Sequence, residues 1–132
     1  MPEKRTLSSL LLCLQESIGG IFFTSDASED AFLSYKDLLR AARGILHHLL
    51  EKGMKAGDEL IFQFNSNANF VVTFWACQLG GIVPVPVSVS RSGEVRQKLL
   101  TIWSTLQRPW LISDLADNAN ALINNDFIHP ED

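Results

Sequence analysis

Apolar residues recur along the chain with two alternating periods, and together these predict a mixed α/β fold. Leu7, Leu10, Leu11 and Leu14 fall on one side of a short helix that Gly19 and Gly20 end. Ile21-Phe22-Phe23 and Ala31-Phe32-Leu33 then flank the polar run Thr24 to Asp30, the pattern of a hairpin with a seven-residue loop. Ser34 has the chemistry of a helix cap. Its hydroxyl can take a free backbone amide, and Asp37 three residues on can reciprocate. Leu38, Ala42, Ile45, Leu46 and Leu49 follow at helical spacing, a stripe that must meet a core, and Gly53 stops the helix where a positive φ is cheap.

Lys55-Ala56-Gly57-Asp58 reads as a turn into Leu60-Ile61-Phe62-Gln63-Phe64, a strand apolar on both faces and therefore covered on both. Asn65-Ser66-Asn67 breaks that strand and caps a second helix, with Phe70, Val71, Phe74, Trp75 and Gln78 on neighbouring turns, ended by Gly80-Gly81. From Val83 to Val89 valines alternate with Pro84, Pro86 and Ser88. Prolines cannot donate to a ladder, so this strand is short and lies at a sheet edge. A third helix starts at Ser92 or Gly93 and carries Val95, Leu99, Ile102, Trp103 and Leu106; Pro109 ends it, and Trp110-Leu111-Ile112 is the next strand. Asp114 caps an Asn-rich helix through Ile123, and residues 115–132 read as a weakly ordered tail. From Asp58 the order is β-α-β-α-β-α. Right-handed crossovers turn that order into an open, mainly parallel sheet with helices on its faces, preceded by the short helix and the hairpin.

Composition narrows the possibilities without adding chemistry. At 132 residues with 46% hydrophobic content, the chain suffices for one core and is too short for two full domains. Eleven Lys and Arg against fifteen Asp and Glu leave a net charge of −4, so neither nucleic acid nor an anionic membrane is an expected partner. No apolar run approaches the roughly 18 residues of a membrane span, and the apolar start is broken at Gln15-Glu16 with no signal-cleavage pattern; a cytoplasmic protein is expected. Cys13 and Cys77 each lie in an apolar helical pattern and read as buried core thiols.

The inventory of reactive groups is thin. There is no phosphate-binding P-loop, no dinucleotide fingerprint and no nucleophile elbow. His47 and His48 are adjacent on a helix, about 100° apart, and are poorly placed to share a metal. His129 has no ligand-spaced partner. Asp58 is better suited to holding a backbone amide in its turn than to acting as a base, and the Asn-rich patch at residues 65–69 to capping a helix. Trp75, Trp103 and Trp110 lie on apolar stripes.

An ordered set of segments carries a family resemblance. Leu33-Ser34-Tyr35-Lys36-Asp37-Leu38 resembles the first core motif of adenylation domains, with Asp37 where Glu is usual. Ala41-Ala42, Leu49 and the run through Gly53, Gly57 and Asp58 to Leu60 continue it. Phe70 to Pro86, through Gly80-Gly81-Ile82-Val83-Pro84, resembles the second motif, although Val87-Ser88-Val89-Ser90 stands where an Asp often follows. Leu99 to Asp114 resembles the next helix and strand. The chain is thus identified as similar to the N-terminal portion of the acyl/aminoacyl-adenylating (AMP-binding) enzymes, most like an adenylation domain of a polyketide/nonribosomal-peptide synthase. The resemblance implies a partial N-terminal subdomain of the adenylate-forming fold. It further implies a parent ligase that uses ATP and Mg to make an acyl-AMP from a carboxylic, hydroxy or amino acid and loads it on a phosphopantetheine thiol. The parent's partners would be the rest of the adenylation domain and a carrier protein. The matched residues Leu33, Ser34, Tyr35, Asp37, Leu38, Gly53, Gly57, Asp58, Gly81 and Pro86 are structural in this reading, and no catalytic, cofactor-binding or metal residue is expected here. The isolated fragment is expected to be inactive and to form homo-oligomers, with the Trp110–Ile112 strand as the pairing edge. The alternative is a stand-alone, non-enzymatic α/β module that binds a partner protein through its apolar helix faces.

Overall fold

The computed structural model describes residues 6–25, 28–87, 101–107, 109–113 and 127–128. In chain order they form α1 (Leu7–Leu14), β1 (Gly20–Ser25), β2 (Ser28–Ser34), α2 (Tyr35–Glu51), β3 (Glu59–Gln63), α3 (Asn67–Gly80), β4 (Val83–Pro86), β5 (Pro109–Ser113) and β6 (Phe127–Ile128). Residues 101–105 are also helical.

Helix α2 starts and stops by side-chain chemistry. The Ser34 hydroxyl accepts the Asp37 amide at 3.1 Å. The Asp37 carboxylate turns toward Arg40, at 3.9 Å, rather than back to the cap. At the other end Gly53 adopts φ +107°, the left-handed conformation in which a side chain would be strained. Its amide donates to the Leu50 carbonyl at 3.0 Å and the Met54 amide to that of Leu49 at 3.1 Å, a Schellman closure. Leu49 and Met54 are both buried in one core cluster, so the stop itself places a core residue. Helix α3 repeats the device. Ser66 caps it by accepting the Asn69 amide at 3.2 Å, Gly81 turns left-handed at φ +66°, and the Ile82 amide donates to the Cys77 carbonyl at 3.0 Å, with Cys77 and Ile82 both buried.

The main sheet has the order β4-β3-β5-β6, parallel throughout. Leu60 and Phe62 of β3 pack with Trp110 and Ile112 on one face, beneath Phe70 and Phe74 of α3. Ile61 and Leu111 look the other way, onto Ile102, Trp103 and Leu106. Helices therefore cover both faces, as the doubly apolar β3 required. On its far side α3 offers Val71, Val72, Trp75 and Leu79 to Leu11, Leu38 and Leu39 of α1 and α2. Gly80 lets α2 approach closely, since a Cβ there would strike the Leu46 side chain.

Several expectations are corrected. Strand β3 ends at Gln63, with Phe64 buried just beyond it. The hairpin strands extend into the polar run, to Ser25 and Ser28, because antiparallel pairing uses backbone groups whatever the side chains; the register slips between Phe23 and Ser25. Helix α1 ends at Leu14, not at the glycines, and Gly20 already belongs to β1. Of its leucine stripe only Leu11 is buried, while Leu7 and Leu10 are exposed, because a single-sided contact with α2 and α3 cannot cover two turns of leucine. Cys13 is exposed for the same reason, whereas Cys77 is buried. Strand β6 was not anticipated from the polar tail, and it pairs with β5 along Leu111 and Ile112. β5 is thus an interior strand between β3 and β6, which removes the Trp110–Ile112 strand as a free pairing edge. The expected helix from Asp114, most of the 115–132 tail, the start of the third helix and His129 lie outside the described residues.

Candidate functional site

The path of the chain through the sheet singles out one place on it. From β3 the chain moves outward to β4, then crosses back to lay β5 on the other side of β3. At such a switch point the connections diverge and leave a crevice beyond the carboxyl ends of the two strands. Here those ends are Gln63 and Ser113, paired in register. Both are buried, and neither lacks a partner. Phe64 is buried beyond Gln63, and Asn65 and Ser66 lead into α3. Alongside, Pro86 ends β4 and the Val87 amide donates to the Phe62 carbonyl at 2.9 Å.

Every polar side chain described at this end is an amide or a hydroxyl. Such groups orient a bound molecule by hydrogen bonds; they do not act as general acid or base near neutral pH. Asp114 lies outside the described residues. The described residues at this end do not fit the ATP, magnesium and phosphopantetheine implied for a whole adenylating enzyme. The β3–α3 turn offers Asn65, Ser66 and Asn67, with no glycine cradle and no cation for a triphosphate, and the Ser66 hydroxyl is already committed to the Asn69 amide. Among the described residues no grouping of His, Cys, Asp and Glu could hold a metal ion.

The residues singled out by motif serve the frame instead. At the start of α2, Leu33 and Tyr35 pack against the buried cluster of Leu11, Leu38 and Leu39, and the Tyr35 amide donates to the Gly19 carbonyl at 3.1 Å. At the amino end of the sheet the Asp58 carboxylate accepts the Lys55 amide at 2.9 Å, as the turn reading required. The Gly57 amide donates to the Gly81 carbonyl and the Val83 amide to that of Asp58, each at 2.8 Å, lacing the turn before β3 to the end of α3 and the start of β4. Gly53 and Gly81 terminate helices. Only Pro86 reaches the carboxyl end. Gln63 and Ser113 escaped sequence reading, although their signal was visible: each is a polar residue closing a buried apolar run, Leu60-Ile61-Phe62 and Trp110-Leu111-Ile112.

Outside this region His47 lies 3.0 Å from Glu51 and His48 4.0 Å from the same carboxylate, both half or more exposed, so neither is built into a metal centre. Burial pushes the Cys77 thiol up to about 12, which makes it inert as a nucleophile. Trp110 is buried; Trp75 and Trp103 are partly buried against the core clusters.

No protein-family profile matches the chain. Among curated proteins, a salicylyl-CoA synthase / salicylate adenylyltransferase from a Streptomyces species is 32% identical over 89 residues, covering 67% of this chain and 16% of that protein. Among solved structures, McyG A-PCP complexed with phenylalanyl-adenylate superposes with a TM-score of 0.83 at 32% identity, over 95% of this chain and 22% of that one. The chain belongs to the AMP-binding, adenylate-forming enzymes. The adenylation domain of a keto acid-selecting nonribosomal-peptide synthetase module, bound to keto acyl adenylate, gives a TM-score of 0.84 at 29% identity over 94% of this chain and 26% of that one. The chain thus spans about a quarter or less of the length of the adenylate-forming relatives it matches, and its fold is a partial, N-terminal subdomain of theirs. Among the described residues no helix is long and apolar enough to cross a membrane.

Proposed function

We propose that this chain is the N-terminal, non-catalytic part of an ATP-dependent ligase that converts a carboxylic, hydroxy or amino acid to its acyl-AMP. The observation that carries the reading is the agreement of sequence and fold with the adenylate-bound McyG A-PCP over 95% of the chain. In this reading the four-stranded sheet and its helices form one layer of the large domain, and the groups that bind ATP and Mg are supplied by other parts of the parent. The acyl group would pass to the phosphopantetheine thiol of a carrier protein, within a cytoplasmic polyketide/nonribosomal-peptide assembly that makes antibiotic-like products. Residues 1–132 act as one partial domain. Alone, the chain is expected to form homo-oligomers, because Phe22 at 68% exposure and Phe32 at 50% leave an apolar face on the hairpin.

A graft tests this. Placed in a keto acid-selecting adenylation domain in place of the matching segment, the chain should support acid-dependent ATP–pyrophosphate exchange, while the 132-residue chain alone should give none. A folded chimera without exchange, or exchange by the chain alone, overturns the reading. The first of these outcomes together with a monomeric chain that captures a specific protein partner would favour a stand-alone interaction module.

A further inference from the structure

Lys36, Arg40 and Arg43 sit at positions i, i+4 and i+7 of α2, on one exposed face and on successive turns. Along the helix axis they are spaced about 6 and 4.5 Å apart. The same three side chains line a shallow groove of about 200 Å³, closed on its far side by Gln15 at the end of α1 and floored by the buried Leu39. Such a row is unexpected in a chain of net charge −4. The nearest carboxylate on α2, Asp37, stands 3.9 Å from Arg40, with both side chains more than half exposed, too loose a pair to occupy the guanidinium. Glu16 borders only the adjoining groove, beside Lys36.

We infer that the Lys36–Arg40–Arg43 face of α2 is a docking surface for an acidic helix of a partner protein. A helix laid along α2 has the same rise per residue, so Glu or Asp residues spaced by three and four positions meet all three cations in register. A nucleic acid fits less well: its evenly charged backbone would meet three cations on an otherwise acidic molecule, with no aromatic platform described beside them. The inference rests on the exposure of α2 in this chain and uses no residue at the carboxyl end of the sheet.

The test uses the full 132-residue chain and fluorescence anisotropy of a labelled helical 14-residue peptide with Glu at positions 4, 7 and 11 and Ala at most other positions. Parallel arms use the same peptide with Gln for Glu, a single-stranded RNA of equal length, and anionic phosphatidylserine vesicles. The acidic peptide should bind, and Lys36→Glu/Arg40→Glu/Arg43→Glu should weaken it about tenfold or more. Lys52→Gln/Lys55→Gln, which removes two cations elsewhere, should leave it unchanged. All three charge positions are exposed, so circular dichroism should report an unaltered fold. The inference is overturned if the acidic peptide binds no better than its Gln counterpart, or if the charge reversal leaves its affinity intact. It is equally overturned if RNA or vesicles bind more tightly and lose that binding in the same variant.

Discussion

One chemical change, Gly to Ala, should have opposite effects at two sites. Gly44 lies on the exposed face of α2, and a Cβ built there meets no atom within 4 Å. Alanine then gains only the helical propensity that glycine lacks, about 0.8–1.0 kcal/mol. Gly20 begins β1 opposite Ser34, with the Phe32 ring folded over it. A Cβ there would collide with the Leu33 carbonyl oxygen and come within 2.6 Å of the ring. Phe32 is half exposed and can swing away, but the carbonyl belongs to the paired strand and cannot. The ladder must shift, at a cost of about 1–3 kcal/mol. The two variants should therefore differ by about 2–4 kcal/mol, which at about 4 °C per kcal/mol for a chain of this size separates their Tm values by roughly 8–16 °C. Thermal melts followed at 222 nm measure it directly. Equal shifts, or a Gly20→Ala protein as stable as the parent, would refute the reasoning that backbone contact, and not hairpin flexibility, selects glycine at that position.

Three further outcomes follow from the geometry. In native protein at pH 8 a thiol reagent should label exposed Cys13 and spare Cys77; because the Cys77 pKa rises from 9.0 to about 12 on folding, its contribution to stability is complete below pH 9.0 and is lost as pH climbs through that interval, so urea midpoints should fall more steeply in that window for the parent than for Cys77→Ala. Asp58→Ala leaves the Lys55 amide without its acceptor and should lower stability by about 1–2 kcal/mol in urea titrations, with Asp58→Asn retaining much of it. Val83 and Val87 donate toward β3, so Pro84 and Pro86 turn their nitrogens outward; Pro84→Val/Pro86→Val would add two donors to that margin and should raise the association state seen by light scattering, an unchanged mass being the adverse result.

What could be read from sequence was whatever local chemistry decides. Ser34 and Ser66 announced their helices because a hydroxyl one turn before an apolar stripe has few other uses, and Gly53 and Gly81 stopped them for steric reasons internal to the chain. β3 was legible because five residues without a polar face cannot sit on a surface. The misses depended on neighbours. Leu7 and Leu10 satisfy the periodicity of a buried face, but nothing in α1 says how much partner surface there is to bury them. Phe127-Ile128 is too short a pair to register as a strand until β5 stands beside it. The pairing at the carboxyl end was unread for the same reason: only the β3–β5 register brings Gln63 and Ser113 together.

The two Schellman stops also bear on the order in which the fold assembles. Leu49 and Met54 are five residues apart, as are Cys77 and Ile82, and all four end in one core cluster. Both helix ends can close, with part of the core, before any long-range pairing has formed. β3 then finds β4 across 24 residues, Leu60 to Pro84, and β5 across 50, Leu60 to Trp110. Loop-closure entropy grows only logarithmically, so that doubling costs about 0.6 kcal/mol. Once β4 is paired, the longer reach to β5 therefore adds little to the entropic cost of closing the parallel sheet. By the same logarithm, the span from β3 to β5 could double in length for about another 0.6 kcal/mol.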